Sequence, residues 1–289
     1  VLSARGETKR PLYYLAIAGV LNVLLNLFFV IVFHMAAAGV ATATAIAQYV
    51  SAALIMIHLV RRKDECHVSL KNIRFHRDAG VRVLMIGIPA GIQSAVFAIA
   101  NLFVQAGVNS FNTITVSGNA AATNADSLIF NVLYAFYTGC SSFMSQNYGA
   151  GNKKRVLKSY FVCLFYSFSA SVLLGVLLFV FGHQFLSLFA TDAAVIDAGM
   201  QRIRIMAFTY AVSVFMDCTT AASRGIGKTI VPTIIILLGS CAFRIIWIYT
   251  IFAWIHTIPS LYLLYVFSWL ITSAAEIIYF ISSYRKLKC

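Results

Sequence analysis

The sequence is short of charge, of acids in particular, and of proline. Charged residues make up 11% of the 289 residues, whereas soluble domains usually carry about 25%. Nine acidic residues stand against 22 basic ones, and there are only four prolines. Because 61% of the residues are hydrophobic, a soluble core could not absorb all of the apolar surface. The composition therefore predicts that this chain is folded in a lipid bilayer.

Motifs for catalysis and for metal binding are also missing. The sequence has no P-loop, no HExxH and no Ser-His-Asp order, so it predicts neither phosphoryl nor acyl chemistry and no enzyme. Its six cysteines are scattered without a CxxC pair, which argues against a disulfide framework and against a zinc site. We therefore expect no metal and no cofactor.

Long apolar runs determine the predicted fold. Several runs reach twenty residues or more, enough to cross about 30 Å of hydrocarbon as an α-helix, and they lack the alternation of barrel strands. The sequence thus predicts an all-α integral membrane protein, a polytopic bundle with eight transmembrane helices. The predicted helices lie near residues 12–33, 37–60, 79–107, 114–146, 157–182, 195–222, 229–254 and 261–283.

Basic residues are concentrated in alternate loops between these helices. Of the 22 basic residues, 19 lie in one set of loops and at the two ends of the chain. Because cytoplasmic loops retain Lys and Arg, this pattern predicts that both ends of this chain are cytoplasmic. The net charge of +13 is then a topology signal, and we expect no nucleic-acid partner.

An Arg-Gly pair occurs at two corresponding points of the chain. Arg5-Gly6 precedes the first predicted helix and Arg224-Gly225 precedes the seventh, and a proline and two apolar helices follow each pair. Six helices separate the two pairs, so the pattern predicts two parallel six-helix lobes, an arrangement found in transporters. The complete protein should then have twelve helices, four of them before Val1.

The repeat divides the chain into three predicted parts. Residues 1–63 would be the last two helices of the N-terminal lobe, and residues 64–78 a basic cytoplasmic loop between the lobes. Residues 79–289 would form a complete six-helix C-terminal lobe.

Three short motifs carry a resemblance to a known family. The turn after the fourth helix reads QNYGAGNKKRV and resembles the QNxGAGxxxRV signature of the MATE family (multidrug and toxic compound extrusion). GIPAG in the third helix and SRGIGK after the sixth resemble the GxPxG and RGxGK segments of that family. The matching residues are Gln146, Asn147, Gly149 and Arg155; Gly87, Pro89 and Gly91; and Arg224 and Gly225.

The resemblance implies an antiporter of the inner membrane. It would exchange H⁺ or Na⁺ for small organic, often cationic, compounds, working in the lipid as a monomer with no cofactor beyond the coupling cation. In the sodium-coupled branch of the family, acidic residues would be expected at the positions of Phe97 and of Ser213. Here the acid of the sixth helix is Asp217, so both coupling ions stay open.

Four charged residues lie at predicted membrane depth, where charges are costly and usually functional or paired. Asp217 is the first candidate for ion coupling, a carboxylate alternating between the cation and a partner such as Arg244; a permanent ion pair is the alternative. Asp126 could attract substrate or bind the ion, or else face a hydrated outer mouth. Glu276 is predicted to reach towards the basic C-terminal cluster.

Polar and aromatic residues at helical spacing predict a substrate cavity. The fourth helix has one polar face, which could line a cavity or bond to neighbouring helices. The predicted cavity residues are Gln93, Phe97, Asn101, Asn131, Tyr134 and Thr138. Gly87, Pro89 and Gly91 form either a hinge for alternating access or an ordinary kink.

Two other classes of function remain open at this stage. A lipid-linked oligosaccharide flippase of the same superfamily would show more cationic charge in its cavity than Arg244 alone. A membrane receptor or enzyme would not be expected to show a six-helix repeat.

Overall fold

Eight long helices and no strand make up the part of the chain that the computed structural model describes. It describes residues 2, 6–64, 67–69, 74 and 76–287, apart from the side chains of residues 82 and 86. The predicted all-α fold is confirmed, and the helices extend beyond several of the predicted ends. The helices are α1 (Lys9–Val32), α2 (Ala37–Arg61), α3 (Arg77–Asn109), α4 (Thr113–Gly149), α5 (Lys153–Leu186), α6 (Ala193–Gly225), α7 (Ile230–Phe252) and α8 (Ile258–Arg285).

Seven of these helices are long and apolar enough to cross a membrane. The eighth, α4, has 37 residues, but its many hydroxyl and amide side chains lower its hydropathy. A spanning helix can carry such residues where they face protein or a water-filled cavity. Of the predicted inter-lobe loop, residues 65, 66, 70–73 and 75 lie outside the described residues, as does Arg5 of the repeat.

The chain divides into two compact units, Val1–Gly80 and Val81–Cys289. In the first unit α1 packs against α2, and the Asn22 amide donates to the Thr44 hydroxyl across that interface at 3.3 Å. Arg62, which follows α2, donates to both carboxylate oxygens of Glu7 at 2.6 Å and so joins the ends of the two helices.

In the second unit α6 is the central helix and packs against α4, α5 and α8. In its most apolar stretch 67% of the residues are buried, the largest share of any of the candidate spans. Its buried face includes small residues such as Thr219, Ala221, Ala222 and Ser223. Without a hydrophobic driving force between helices in lipid, such small residues allow the close packing that holds a bundle together.

Gly175 of α5 packs closely against α6. A Cβ atom at this glycine would lie 2.1 Å from the carbonyl oxygen of Ala207, a backbone atom held in the helix. Gly175→Ala must therefore push the two helices apart, and we expect it to lower the free energy of unfolding by about 1–3 kcal/mol. Unfolding in detergent can be followed with a thiol-reactive dye that reports exposure of the buried cysteines Cys140 and Cys218.

Gly139→Ala in α4 is the matched control for this substitution. No atom lies within 4 Å of the Cβ position at Gly139, so alanine there should be neutral or stabilise the helix by about 0.5–1 kcal/mol. Equal unfolding midpoints for the two variants would show that the contact between α5 and α6 does not limit stability.

Candidate functional site

A cavity of about 740 Å³ lies within the second unit, between α3, α4, α6, α7 and α8. This volume is in the range that small-molecule sites usually have. Eight of the nine predicted ion-coupling and cavity residues line it, namely Gln93, Phe97, Asn101, Asp126, Asn131, Tyr134, Asp217 and Arg244. Thr138 lies outside this cavity, which corrects its predicted place, and its hydroxyl donates to the carbonyl oxygen of Ala135 in its own helix at 2.9 Å.

One part of the cavity contains a buried ion pair between α4 and α6. The Asp126 carboxylate accepts hydrogen bonds from the Arg202 guanidinium and from the Tyr210 hydroxyl. Arg202 also donates to the Asn119 side-chain oxygen at 2.5 Å, and that oxygen accepts a second bond from the Tyr262 hydroxyl at 2.9 Å. Asp126 is only 8% exposed, so the alternative of a hydrated acid at an outer mouth is wrong.

Arg202 is the residue at this site that sequence reasoning did not single out, although it lies just inside the sixth predicted helix. The positions of the two residues along their helices could have indicated the pair. Asp126 lies 13 residues after Thr113, and Arg202 nine residues after Ala193, at the beginnings of two helices predicted to start on the same side. Four residues of helical rise amount to about 6 Å, a difference in depth that an arginine side chain can bridge.

Arg244 of α7 is held by an amide and by aromatic rings. Its Nη1 donates to the Asn101 side-chain oxygen at 2.9 Å. The guanidinium carbon lies 4.5 Å from the ring centre of Tyr265, 5.1 Å from that of Phe97 and 5.8 Å from that of Trp269. Within the described residues no carboxylate forms an ion pair with Arg244, so the suggested pairing with Asp217 is not present in this structure.

Arg224 lines another part of the cavity, where sequence reasoning had placed it only in a cytoplasmic turn. Its Nη1 donates to the Tyr137 hydroxyl at 2.8 Å, and its Nη2 donates to the Gln93 side-chain oxygen at 2.5 Å. A weaker contact of 3.3 Å reaches the Thr233 hydroxyl. This one side chain therefore joins α6 to α3, α4 and α7.

The two remaining acids differ in their surroundings. Asp217 is partly buried and lines the cavity, and no described residue forms an ion pair or a hydrogen bond with its carboxylate. Glu276 of α8 has no exposed surface, does not line the cavity, and both of its carboxylate oxygens lack a hydrogen-bond partner among the described residues. The prediction that Glu276 reaches towards the basic C-terminal cluster is therefore wrong.

The polar face of α4 bonds mainly to its own helix. The side chains of Asn124, Ser127 and Ser145 donate to carbonyl oxygens three or four residues earlier. Such bonds do not join helices, so this face favours the cavity over the alternative of interhelical bonding. Tyr134 of this face stacks on Tyr137, with ring centres 5.7 Å apart and an angle of 7° between the rings.

The turn motif that follows α4 is structural. The Asn147 amide donates to the Phe143 carbonyl at 2.7 Å and to the Ser159 hydroxyl of α5 at 3.2 Å. The backbone N–H of Ala150 donates to the carbonyl of Gln146 at 3.0 Å, and that of Arg155 donates to the Asn152 side chain at 3.0 Å.

The motif at the end of α6 packs against the end of α4. A Cβ at Gly225 would lie 2.5 Å from the Cβ of Met144, so only glycine permits this approach. Gly149 has no atom within 4 Å of its Cβ position. Gly225 thus allows the end of α6 to pack closely on the end of α4, beside the Arg224 part of the cavity.

The proposed hinge lies inside α3. Pro89 interrupts the hydrogen-bond ladder of this helix, while the helix itself continues from Arg77 to Asn109. No atom lies within 4 Å of the Cβ positions of Gly87 and Gly91. The surroundings would permit bending here, and the hinge remains a prediction.

Comparison with known proteins agrees with the resemblance that the sequence motifs carry. Residues 89–250 match the family model MatE. Over 210 residues the chain is 30% identical to the probable multidrug resistance protein YpnP of Bacillus subtilis, covering 73% of this chain and 47% of that protein. Over 200 residues it is 24% identical to the FAD transporter of Shewanella oneidensis, covering 68% of this chain and 44% of that protein.

A solved structure has the same fold. It is titled as the outward-facing conformation of a multidrug resistance MATE family transporter of the MOP superfamily, and the TM-score is 0.88 at 18% identity. The match covers 98% of this chain and 64% of that one. The chain spans about half the length of the curated relatives it matches.

Proposed function

This chain belongs to the MatE family, and from that premise we propose that the intact protein is a secondary antiporter that exports small organic compounds across the cytoplasmic membrane. The observation that carries the proposal is the cavity of about 740 Å³ among spanning helices, lined by aromatic rings and by five charged side chains. The relatives named for multidrug resistance and for FAD support a small organic substrate. We further propose that it works as a monomer with both ends of this chain in the cytoplasm, as the basic loops suggest.

Asp217 is proposed as the group that couples transport to H⁺ or Na⁺. Support comes from its place in the cavity lining and from its carboxylate, which no described residue pairs with a counter-charge. A carboxylate in that position can take up a cation, and the loss of its charge changes the balance against Arg224 and Arg244 across the cavity. Cation occupancy would thereby bias which side of the membrane the cavity opens to, as alternating access requires.

Transport by the intact protein in proteoliposomes tests this function. We expect accumulation of at least one of three aromatic probes, ethidium, riboflavin or flavin mononucleotide (FMN), when a pH or Na⁺ gradient is imposed. Nigericin or monensin should abolish it by collapsing the gradient, and ATP should have no effect because the chain has no P-loop. Failure of every probe to respond to either gradient would refute the proposal.

One observation favours the flippase alternative more than the sequence did. Three arginines line the cavity instead of one, and a lipid-linked oligosaccharide carries a diphosphate that arginine binds well. Arg202 is already neutralised by Asp126, and Arg244 lies among aromatic rings that match an aromatic solute better than a sugar chain. Gradient-independent exchange of a labelled polyprenyl diphosphate between leaflets would identify a flippase.

A further inference from the structure

The charges that line the cavity do not balance. Three arginines face two aspartates there, and the Asp126 carboxylate is already paired with Arg202. Among the described residues, Arg224 donates only to neutral hydroxyl and amide oxygens, and Arg244 donates only to the Asn101 amide oxygen. Whatever the charge of Asp217, the lining contributed by the second unit has an excess of positive charge.

Arg244 also has hydrogen-bond donors without an acceptor among the described residues. The residue is 1% exposed, and its Nε and Nη2 have no hydrogen-bond partner among the described residues. These two nitrogens form one edge of the planar guanidinium, and that edge matches the two oxygens of a carboxylate or phosphate. Leaving buried donors unpaired is costly, so an anion that accepts from both would complete this site.

The surroundings of that edge are aromatic. Tyr265, Phe97 and Trp269 lie within 6 Å of the Arg244 guanidinium, and Phe130 and the stacked pair Tyr134–Tyr137 line the same cavity. Aromatic faces stack on planar rings and give such a ligand apolar contact area. An aliphatic anion would leave this lining unused.

We infer that the cavity of the second unit binds aromatic organic anions, with their carboxylate or phosphate group held by Arg244. This inference rests on the proposed function, because it names the substrate class of the same cavity. It reverses the charge that the family resemblance led us to expect. A cationic substrate at this place would meet an uncompensated guanidinium instead of a carboxylate, at a depth where screening by water is weak.

A pair of flavins isolates the effect of the anionic group. FMN and riboflavin share one ring system and differ by a phosphate. Flavin fluorescence anisotropy with the intact detergent-solubilised protein gives a Kd for each. We expect FMN to bind at least about 10-fold more tightly than riboflavin, the ratio that one charge-assisted hydrogen bond supplies. Equal affinities, or a preference for riboflavin, would overturn the inference.

Substitution of Arg244 should remove that preference selectively. Arg244→Gln is expected to weaken FMN binding about 10- to 100-fold and to leave riboflavin nearly unchanged. Arg244→Lys should show an intermediate loss, because it keeps the charge but not the two-pronged geometry. The matched control is Arg204→Gln, which removes an exposed arginine outside the cavity and should not alter either Kd.

A second variant tests the same site without removing the arginine. Asn101→Asp is nearly isosteric and places a carboxylate where an amide oxygen now accepts from Arg244 at 2.9 Å. Compensating the guanidinium in this way should weaken FMN binding about 10-fold with riboflavin unaffected. If Asn101→Asp binds FMN as well as the parent protein, Arg244 does not hold the anion, whatever the fate of Arg244→Gln.

Two further measurements distinguish a lipid ligand from a soluble anion, and failure of the anion site from failure of the antiporter. Dihexanoyl phosphatidylglycerol, which represents a lipid headgroup, should not displace FMN at equal concentration; displacement would assign Arg244 to lipid phosphate and overturn the inference. Gradient-driven transport of ethidium with no FMN binding would refute the anion site and leave the antiporter standing. FMN binding without gradient-driven transport of any probe would refute the antiporter and leave the anion site standing.

Discussion

Leucine in place of Asp126 is expected to lower the free energy of unfolding of this protein by about 3–5 kcal/mol. The substitution leaves the Arg202 guanidinium buried without its counter-charge and removes the acceptor of the Tyr210 hydroxyl. A buried ion pair that loses one partner costs this much because the remaining charge has left water without compensation. Reversible SDS titration of the purified protein, followed by tryptophan fluorescence, measures the loss.

The double variant Asp126→Leu with Arg202→Met shows whether the loss comes from the unpaired charge. Removing both charged groups should recover most of the stability, since apolar residues often replace a buried pair at no net cost. Asn124→Leu on the same helix is the control, because Asn124 is exposed and, among the described residues, donates only to the carbonyl oxygens of Ala120 and Ala121 in its own helix; we expect a change within about 0.5 kcal/mol. A double variant no more stable than Asp126→Leu would contradict the assigned role of the pair.

Asp217→Asn is expected to abolish gradient-driven transport while the protein still folds. Asparagine has almost the same shape, and no described residue bonds to the Asp217 carboxylate, so packing should be kept. The amide cannot take up a proton and lacks the charge that holds Na⁺, so cation occupancy can no longer bias the direction in which the cavity opens. The measurement is probe uptake into proteoliposomes under an imposed gradient, which should fall to that of empty vesicles.

Two variants serve as controls for the Asp217→Asn prediction. Asp217→Glu keeps the titratable group and should retain part of the transport. Glu276→Gln removes a fully buried acid of the same unit that does not line the cavity, and it should leave uptake close to that of the parent protein. If Glu276→Gln abolishes transport and Asp217→Asn does not, coupling runs through α8 and the assignment made here is wrong.

Several site residues could be identified from the sequence because helical periodicity is a local property. Gln93, Phe97 and Asn101 recur every four residues on α3, and the structure places all three in the cavity lining. Asn131 and Tyr134 likewise share a face of α4 and line the cavity. Spacing along one helix states which residues share a face, and the polarity of that face indicates that it does not contact lipid.

Contacts between helices could not be predicted from the periodicity of single helices. Arg224 was assigned to a cytoplasmic turn, and Arg202, just inside the sixth predicted helix, was given no role. In the structure α6 continues to Gly225, so Arg224 also belongs to the helix, and both arginines line the cavity. Glu276 was misplaced for the related reason that the neighbours of α8, not its sequence, decide which of its faces is buried.

The sequence by itself determined that the chain folds in a bilayer, that it is helical, how many long helices it has and which family it belongs to. Apolar runs, the distribution of basic residues and short motifs are local features of the sequence, set by bilayer thickness and backbone chemistry. Only the tertiary structure decided which charges are compensated. The pairing of Asp126 with Arg202 depends on the rotation and depth of α4 and α6 relative to each other. The rotation and depth of α7 likewise decide that no carboxylate of the described residues forms an ion pair with Arg244. A shift of one residue turns a helix by about 100°, which is enough to exchange an ion pair for an open anion site.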